Sequence, residues 1–152
     1  AHVAAEEGIA AVDHIMGMKS CMNYGAVPGC VFSFPEIASV GLSEEDAKEK
    51  GMDYSSSKFL FGANGKALTL GEEEGFVKVL AETQTKRIIG VHIMGPHASD
   101  LIHEAALAVE KKMTAEDLSS VIHAHPTLSE AFMEAVLGIE NKAIHMLPKR
   151  KI

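Results

Sequence analysis

The sequence predicts an α+β fold: an antiparallel β-sheet with flanking helices, preceded by a helical segment. Three observations carry that prediction. Strand-like runs rich in β-branched and aromatic residues cluster between residues 30 and 94. Helical periodicity is concentrated after Ser99. The alternation of strand and helix that a doubly wound parallel sheet requires is missing, and neither GxGxxG nor GxxxxGK(S/T) occurs, so these residues hold no recognisable nucleotide-phosphate cradle.

Taken in order, "AHVAAEEGIAAVDHIMG" places Val3, Ile9, Val12 and Ile15/Met16 on one helical stripe, with Gly17 as a stop. A chain that opens at Ala1 without Met and is already helical is expected to be a piece of a longer one. The loop "MKSCMNYGAVPGC" follows, with Gly25, Pro28 and Gly29 as punctuation, and sets the expected domain boundary between residues 1–24 and 25–152. "CVFSFPEIASVGL" reads as two short strands around Pro35. Ser43 and Asp46 have capping-box spacing at the start of a short helix that Gly51 ends. Residues 53–62 read as a strand. Phe76 to Ala81 and Ile88 to Met94 form the clearest hairpin, and the almost wholly apolar second run is expected in mid-sheet. "SDLIHEAALAVEKKM" is amphipathic with an Ala-rich face, Thr114 and Asp117 make another capping box, and "SEAFMEAVLG" is the last helix.

The bulk properties exclude several classes. At 152 residues, 47% hydrophobic and 23% charged, the chain can bury one real core. A formal net charge of −7 argues against nucleic acid or an anionic membrane as partner. The basic end "PKRKI" is too short to reverse that and reads as a solvated terminus. No apolar run approaches the ~20 residues of a membrane span. Cys21 and Cys30, nine residues apart, fit neither CxxC nor a zinc pairing and read as reduced thiols, which points to the cytoplasm.

The chemistry-bearing stretch is "VIHAHPTLSEAFMEAV", residues 121–136. Thr127 and Glu130 have capping-box spacing, so a purely structural reading is available. His123 and His125 could share a face of an extended segment, but metal ligation needs a third ligand that nothing local supplies. The remaining reading is acid/base chemistry. An imidazole titrates near neutrality and works best with one ring nitrogen held by a carboxylate. His125 and Glu130 can meet that way if the chain turns sharply at Pro126, for which a cis peptide bond is one route. His92 and His103 read as packing or surface residues, and His14, His97 and His145 have no partner evident in the sequence. His123 can support the local turn.

"HAHPTLSEAF" resembles the C-terminal motif of the dihydrolipoamide dehydrogenases, flavoprotein disulfide reductases. "FPEIASVGLSEEDAKEKG", "GFVKVLAETQTKRIIGVHIMGP", "HEAALAVEKKMTAEDL" and the opening "AHVAAEEGI" resemble the same family in the same order, across nearly the whole chain. "GIENKAIHMLPKRKI" is similar to bacterial members, whereas "GANGKALTLGEEEG" matches less closely. Glutathione reductase-like relatives share His-Pro-Thr but fit "HPTLSEAF" less well.

The resemblance implies an interface domain from about residue 25, through which two subunits form a homodimer, preceded by a helix remnant of the FAD-binding domain. It implies His125 as catalytic acid/base and Glu130 as the carboxylate that orients it, acting in trans on the flavin and redox disulfide of the other subunit. It implies flavin contact at Ala1, His2 and Pro126, no metal, and FAD and NAD as cofactors of the full-length enzyme, with none expected on this chain alone. The implied partner is a lipoyl-bearing protein of a 2-oxoacid dehydrogenase or glycine cleavage complex. The family's dinucleotide fingerprint and redox CxxxxC pair are absent here, so the isolated chain is expected to be inactive. The alternatives are a freestanding association module, or the same domain from a glutathione reductase-like relative.

Overall fold

The structure is a computed structural model that describes residues 1–146. The basic end read from the sequence lies outside the described residues. Helix α1 (His2–Ile15) leads through a 3-10 turn at Tyr24–Ala26 to β1 (Gly29–Val31) and β2 (Glu36–Gly41). Then come α2 (Glu44–Glu49), β3 (Tyr54–Leu60), α3 (Gly65–Leu70) and the hairpin β4 (Phe76–Glu82) and β5 (Ile88–Gly95). Helices α4 (Ala98–Glu110), α5 (Ala115–Ser119) and α6 (Glu130–Ile139) finish the described chain.

The five strands form one antiparallel sheet in the order β1-β2-β5-β4-β3, so the most apolar strand sits at the centre, as its composition demands. Alternation along the strands sends Ala38 and Val40, Phe59, Val77 and Val79, and Val91 and Ile93 to one buried face. Helices α4 and α6 cover that face, α4 over β2 and β5, α6 over β3 and β4. Ile102, Ala105 and Ala108 recur at helical spacing on α4, and the alanines let its backbone approach the sheet. Phe132, Ala135, Val136 and Ile139 do the same on α6. Buried Phe132 thus fixes the N-terminal half of α6 to the sheet; truncating such a side chain to Ala typically costs about 3–5 kcal/mol.

Both capping boxes read from the sequence are formed, Ser43 with Asp46 and Thr114 with Asp117. Helix α3 is an addition to the sequence reading. It is only six residues long, Gly65 and Gly71 bracket it, and its one buried residue is Ala67, too little pattern to register as a helix. On α1 the apolar stripe is present but uncovered: Ile9, Val12, Ile15 and Met16 are all exposed. The Tyr24 hydroxyl donates to Glu7, and a His2 ring nitrogen meets the Pro28 carbonyl, tying α1 to the linker.

Gly90 lies where the central strand passes the turn after β2, and a Cβ there would fall 2.0 Å from the Leu42 carbonyl oxygen. Gly90→Ala is therefore expected to lower stability by about 1–3 kcal/mol, read from the urea midpoint. An unchanged midpoint would mean the Leu42 turn yields freely.

Candidate functional site

The turn between α5 and α6 carries the site. His125–Pro126 is a cis peptide bond, and beyond it the Thr127 N–H points at Glu130 Oε2, 2.8 Å away. Glu130 opens α6, where unpaired N–H groups and the helix dipole favour a carboxylate. Its other oxygen, Oε1, lies 2.9 Å from His125 Nδ1. An ionised carboxylate only accepts, so Nδ1 carries the hydrogen, and in the neutral ring Nε2 is left with its lone pair. The His125 side chain is 79% exposed, whereas that of Glu130 is 19% exposed. Partial burial pushes the Glu130 carboxyl up, but the Thr127 N–H, the His125 hydrogen bond and charge, and the charge of His145 outweigh it, and the group sits below its ordinary value.

The capping box expected at Thr127 is half formed. Glu130 reaches back to the Thr127 N–H, but the Thr127 hydroxyl donates to the Ala124 carbonyl instead of capping α6. The residue flanking the helix is Ser129, whose side chain makes no capping bond. The hydroxyl is thus spent on closing the turn. His123 supports this turn as expected: its side chain is buried, with Nε2 2.9 Å from Glu104 Oε1 on α4.

Several partners were invisible in the sequence. Asn64 caps α3 and also donates to the Thr127 carbonyl across 63 positions of chain. His145, unpaired in the sequence reading, is bonded through Nδ1 to Glu134 at 2.9 Å. Glu134 is buried and also accepts the Ile144 and His145 N–H groups, so it pins the C-terminal segment to α6. Only the four-residue spacing of Glu130 and Glu134 could have hinted at it. His97 likewise gains a partner, with Asp100 at 3.5 Å.

The other candidates separate. Ala1 and His2 stand at the start of α1, and His2 lines a cleft of about 920 Å³ between α1, the linker and α4. Cys21 and Cys30 line the same cleft and are free thiols. Burial pushes the Cys30 thiol up, and the charges of Glu36 and Asp100 add to it, which suits an inert thiol. Among the described residues no cluster could hold a metal ion, and no helix is long and apolar enough to cross a membrane.

Residues 27–136 match the dimerisation domain of the pyridine nucleotide-disulphide oxidoreductases. The chain belongs to that family. Dihydrolipoyl dehydrogenase from Bacillus subtilis is 49% identical to this chain over 146 residues, 95% of this chain and 31% of that protein. The mitochondrial dihydrolipoyl dehydrogenase 2 of Arabidopsis thaliana is 48% identical over 146 residues, 96% of this chain and 29% of its own. The crystal structure of LpdA from Mycobacterium tuberculosis superposes with a TM-score of 0.84 at 30% identity, covering 89% of this chain and 30% of that one. The chain therefore spans roughly a third of the length of these relatives. The resemblance and the antiparallel α+β fold read from the sequence are both borne out.

Because its donors outweigh burial, Glu130 stays ionised where an ordinary glutamate, near pKa ~4.3, is half protonated. Its contribution to the turn is complete above that value and is lost as pH falls through its own lower one. Carboxyl carbon NMR should place the Glu130 midpoint below ordinary glutamate. A midpoint displaced upward would mean burial dominates.

Proposed function

We propose that this chain is the dimerisation domain of a dihydrolipoamide dehydrogenase, supplying His125 and Glu130 as an acid/base pair to the flavin and disulfide site of a partner subunit. The observation that carries this is the exposed His125 ring, its Nδ1 bonded to a Glu130 that is itself held by the Thr127 N–H. Association alone requires no such arrangement.

The chemistry follows from the pair. Oxidising a dithiol through a disulfide needs a thiolate, and a thiol of pKa ~8.5 is mostly protonated at neutral pH. His125 Nε2 takes the S–H proton, and Glu130 stabilises the imidazolium that results. The thiolate attacks one sulfur of the disulfide, giving a mixed disulfide and releasing the other sulfur as a thiolate. His125 gives that proton to the departing sulfur and then takes the second S–H proton. The second thiolate attacks the substrate sulfur of the mixed disulfide, closing the ring and releasing the enzyme's other sulfur as a thiolate. FAD and NAD, when bound by such an enzyme, carry the electron pair onward. These residues lack the family's dinucleotide fingerprint, so they fit only an edge of a flavin site. On this reading Pro126 approaches the partner's flavin, Ala1 and His2 the chain's own, and residues 1–24 are the end of the FAD-binding domain. A lipoyl-bearing protein is the physiological dithiol. Two free thiols fit a reducing compartment such as the cytoplasm.

The test mixes this chain with a dihydrolipoyl dehydrogenase polypeptide that keeps its flavin and disulfide but lacks its C-terminal third. Dihydrolipoamide-dependent NAD reduction should appear, and His125→Gln should lower it by roughly 10²–10⁴-fold, the usual worth of a general base. Association without turnover would leave only a docking module. Sedimentation of the chain alone should show a two-fold dimer at high concentration; a monomer throughout would count against the interface.

A further inference from the structure

Among the described residues, His123, Ala124 and Thr127 are each held by hydrogen bonds, whereas the His125 ring is held through Glu130 alone. His123 is anchored through Nε2 to Glu104, and its Nδ1 lies 3.1 Å from the Val121 carbonyl. The Ala124 carbonyl accepts the Thr127 hydroxyl. Thr127 is gripped from both sides, its N–H by Glu130 and its carbonyl by Asn64 Nδ2 at 3.1 Å. The exposed His125 side chain has one hydrogen-bond partner among the described residues, Glu130, so its direction is inherited from whatever fixes Glu130.

We infer that Asn64 and His123 are positioning residues, bracing the His125–Glu130 turn from α3 and α4 respectively. Asn64 is 3% exposed and uses both ends of its amide. Oδ1 accepts the Ala67 N–H at 2.9 Å, which caps α3. A cap needs only an acceptor, and Asp or Ser would serve equally. The donor end is what selects Asn, and it is spent on the Thr127 carbonyl. Lose that bond and the Thr127 peptide can rotate. Its N–H then leaves Glu130 Oε2, and Oε1 no longer holds Nδ1 in one place. His123 does the corresponding work two residues before His125, tying the incoming strand of the turn to Glu104. Nothing in the chemistry of sulfur calls for either residue directly, so both act through the pair.

This inference rests on the acid/base reading of His125, and its test is chosen to fail separately. Asn64→Ser keeps a neutral acceptor for the α3 cap but cannot reach Thr127. Asn64→Asp keeps the acceptor and sets an oxygen against the Thr127 carbonyl. In the flavin-bearing enzyme, both should lower kcat for dihydrolipoamide by about 10–100-fold, the usual cost of losing an orienting partner, with KM little changed. His123→Gln, which can still donate to Glu104, should lose less than His123→Ala. In the full chain, imidazole nitrogen NMR should show His125 Nδ1 losing its carboxylate bond in Asn64→Ser while the urea midpoint falls by no more than one lost hydrogen bond is worth. An unchanged Nδ1 signal with unchanged kcat overturns the inference. So does a rate that falls only in proportion to unfolded protein. If His125→Gln itself leaves turnover intact, the acid/base reading fails instead, and the Nδ1 signal still decides whether the brace exists.

Discussion

The Glu130 carboxylate does two jobs at once, and the site depends on both. One oxygen holds the Thr127 N–H and the other holds His125 Nδ1. The first bond makes the carboxylate a fixed object; the second transfers that fixity to a ring that is otherwise free in solvent. Either alone would leave the imidazole to sample its rotamers, and orienting an exposed ring costs entropy that a single mobile acceptor does not offset. The helix makes the arrangement affordable. Glu130 stands in the first turn of α6, where the backbone favours negative charge, and Phe132 two residues later is buried against the sheet.

Much of the fold was legible because its signals are local or periodic. The hairpin β4–β5 announced itself by two apolar runs and a polar turn. The centrality of β5 followed from its lack of polar alternation, and the two complete capping boxes from a three-residue spacing. Helix α3 escaped because six residues, the first of them Gly65, with Gly71 just beyond, carry too few buried positions to show a period. The exposure of the α1 stripe was not legible either: periodicity says which residues share a face, not whether anything covers it.

The site divides along the same line. His125 and Glu130 are five residues apart, so a sharp turn could be imagined from the sequence and the pair with it. The supports are long-range. Asn64 reaches Thr127 across 63 positions, and His123 meets Glu104 across 19. Such partners are chosen by the packing of α3 and α4 around the turn, which no spacing encodes. The half-formed box at Thr127 is instructive in another way. Its acid obeys the motif, while its hydroxyl is diverted to the Ala124 carbonyl, because closing the turn needs a donor more than the helix needs a cap.

One turn beyond Glu130 on the same helix, Glu134 repeats its design, with one oxygen on a histidine Nδ1 and the other on backbone N–H groups. Two carboxylates four residues apart on a helix repel each other. Here each is matched by its own imidazole and amides, and His145 also lowers the Glu130 carboxyl. A rigid rod bearing both anchors cannot roll or slide for one without the other. The segment 144–145 and the His125 turn are thereby geared together, like two teeth cut on a single shaft.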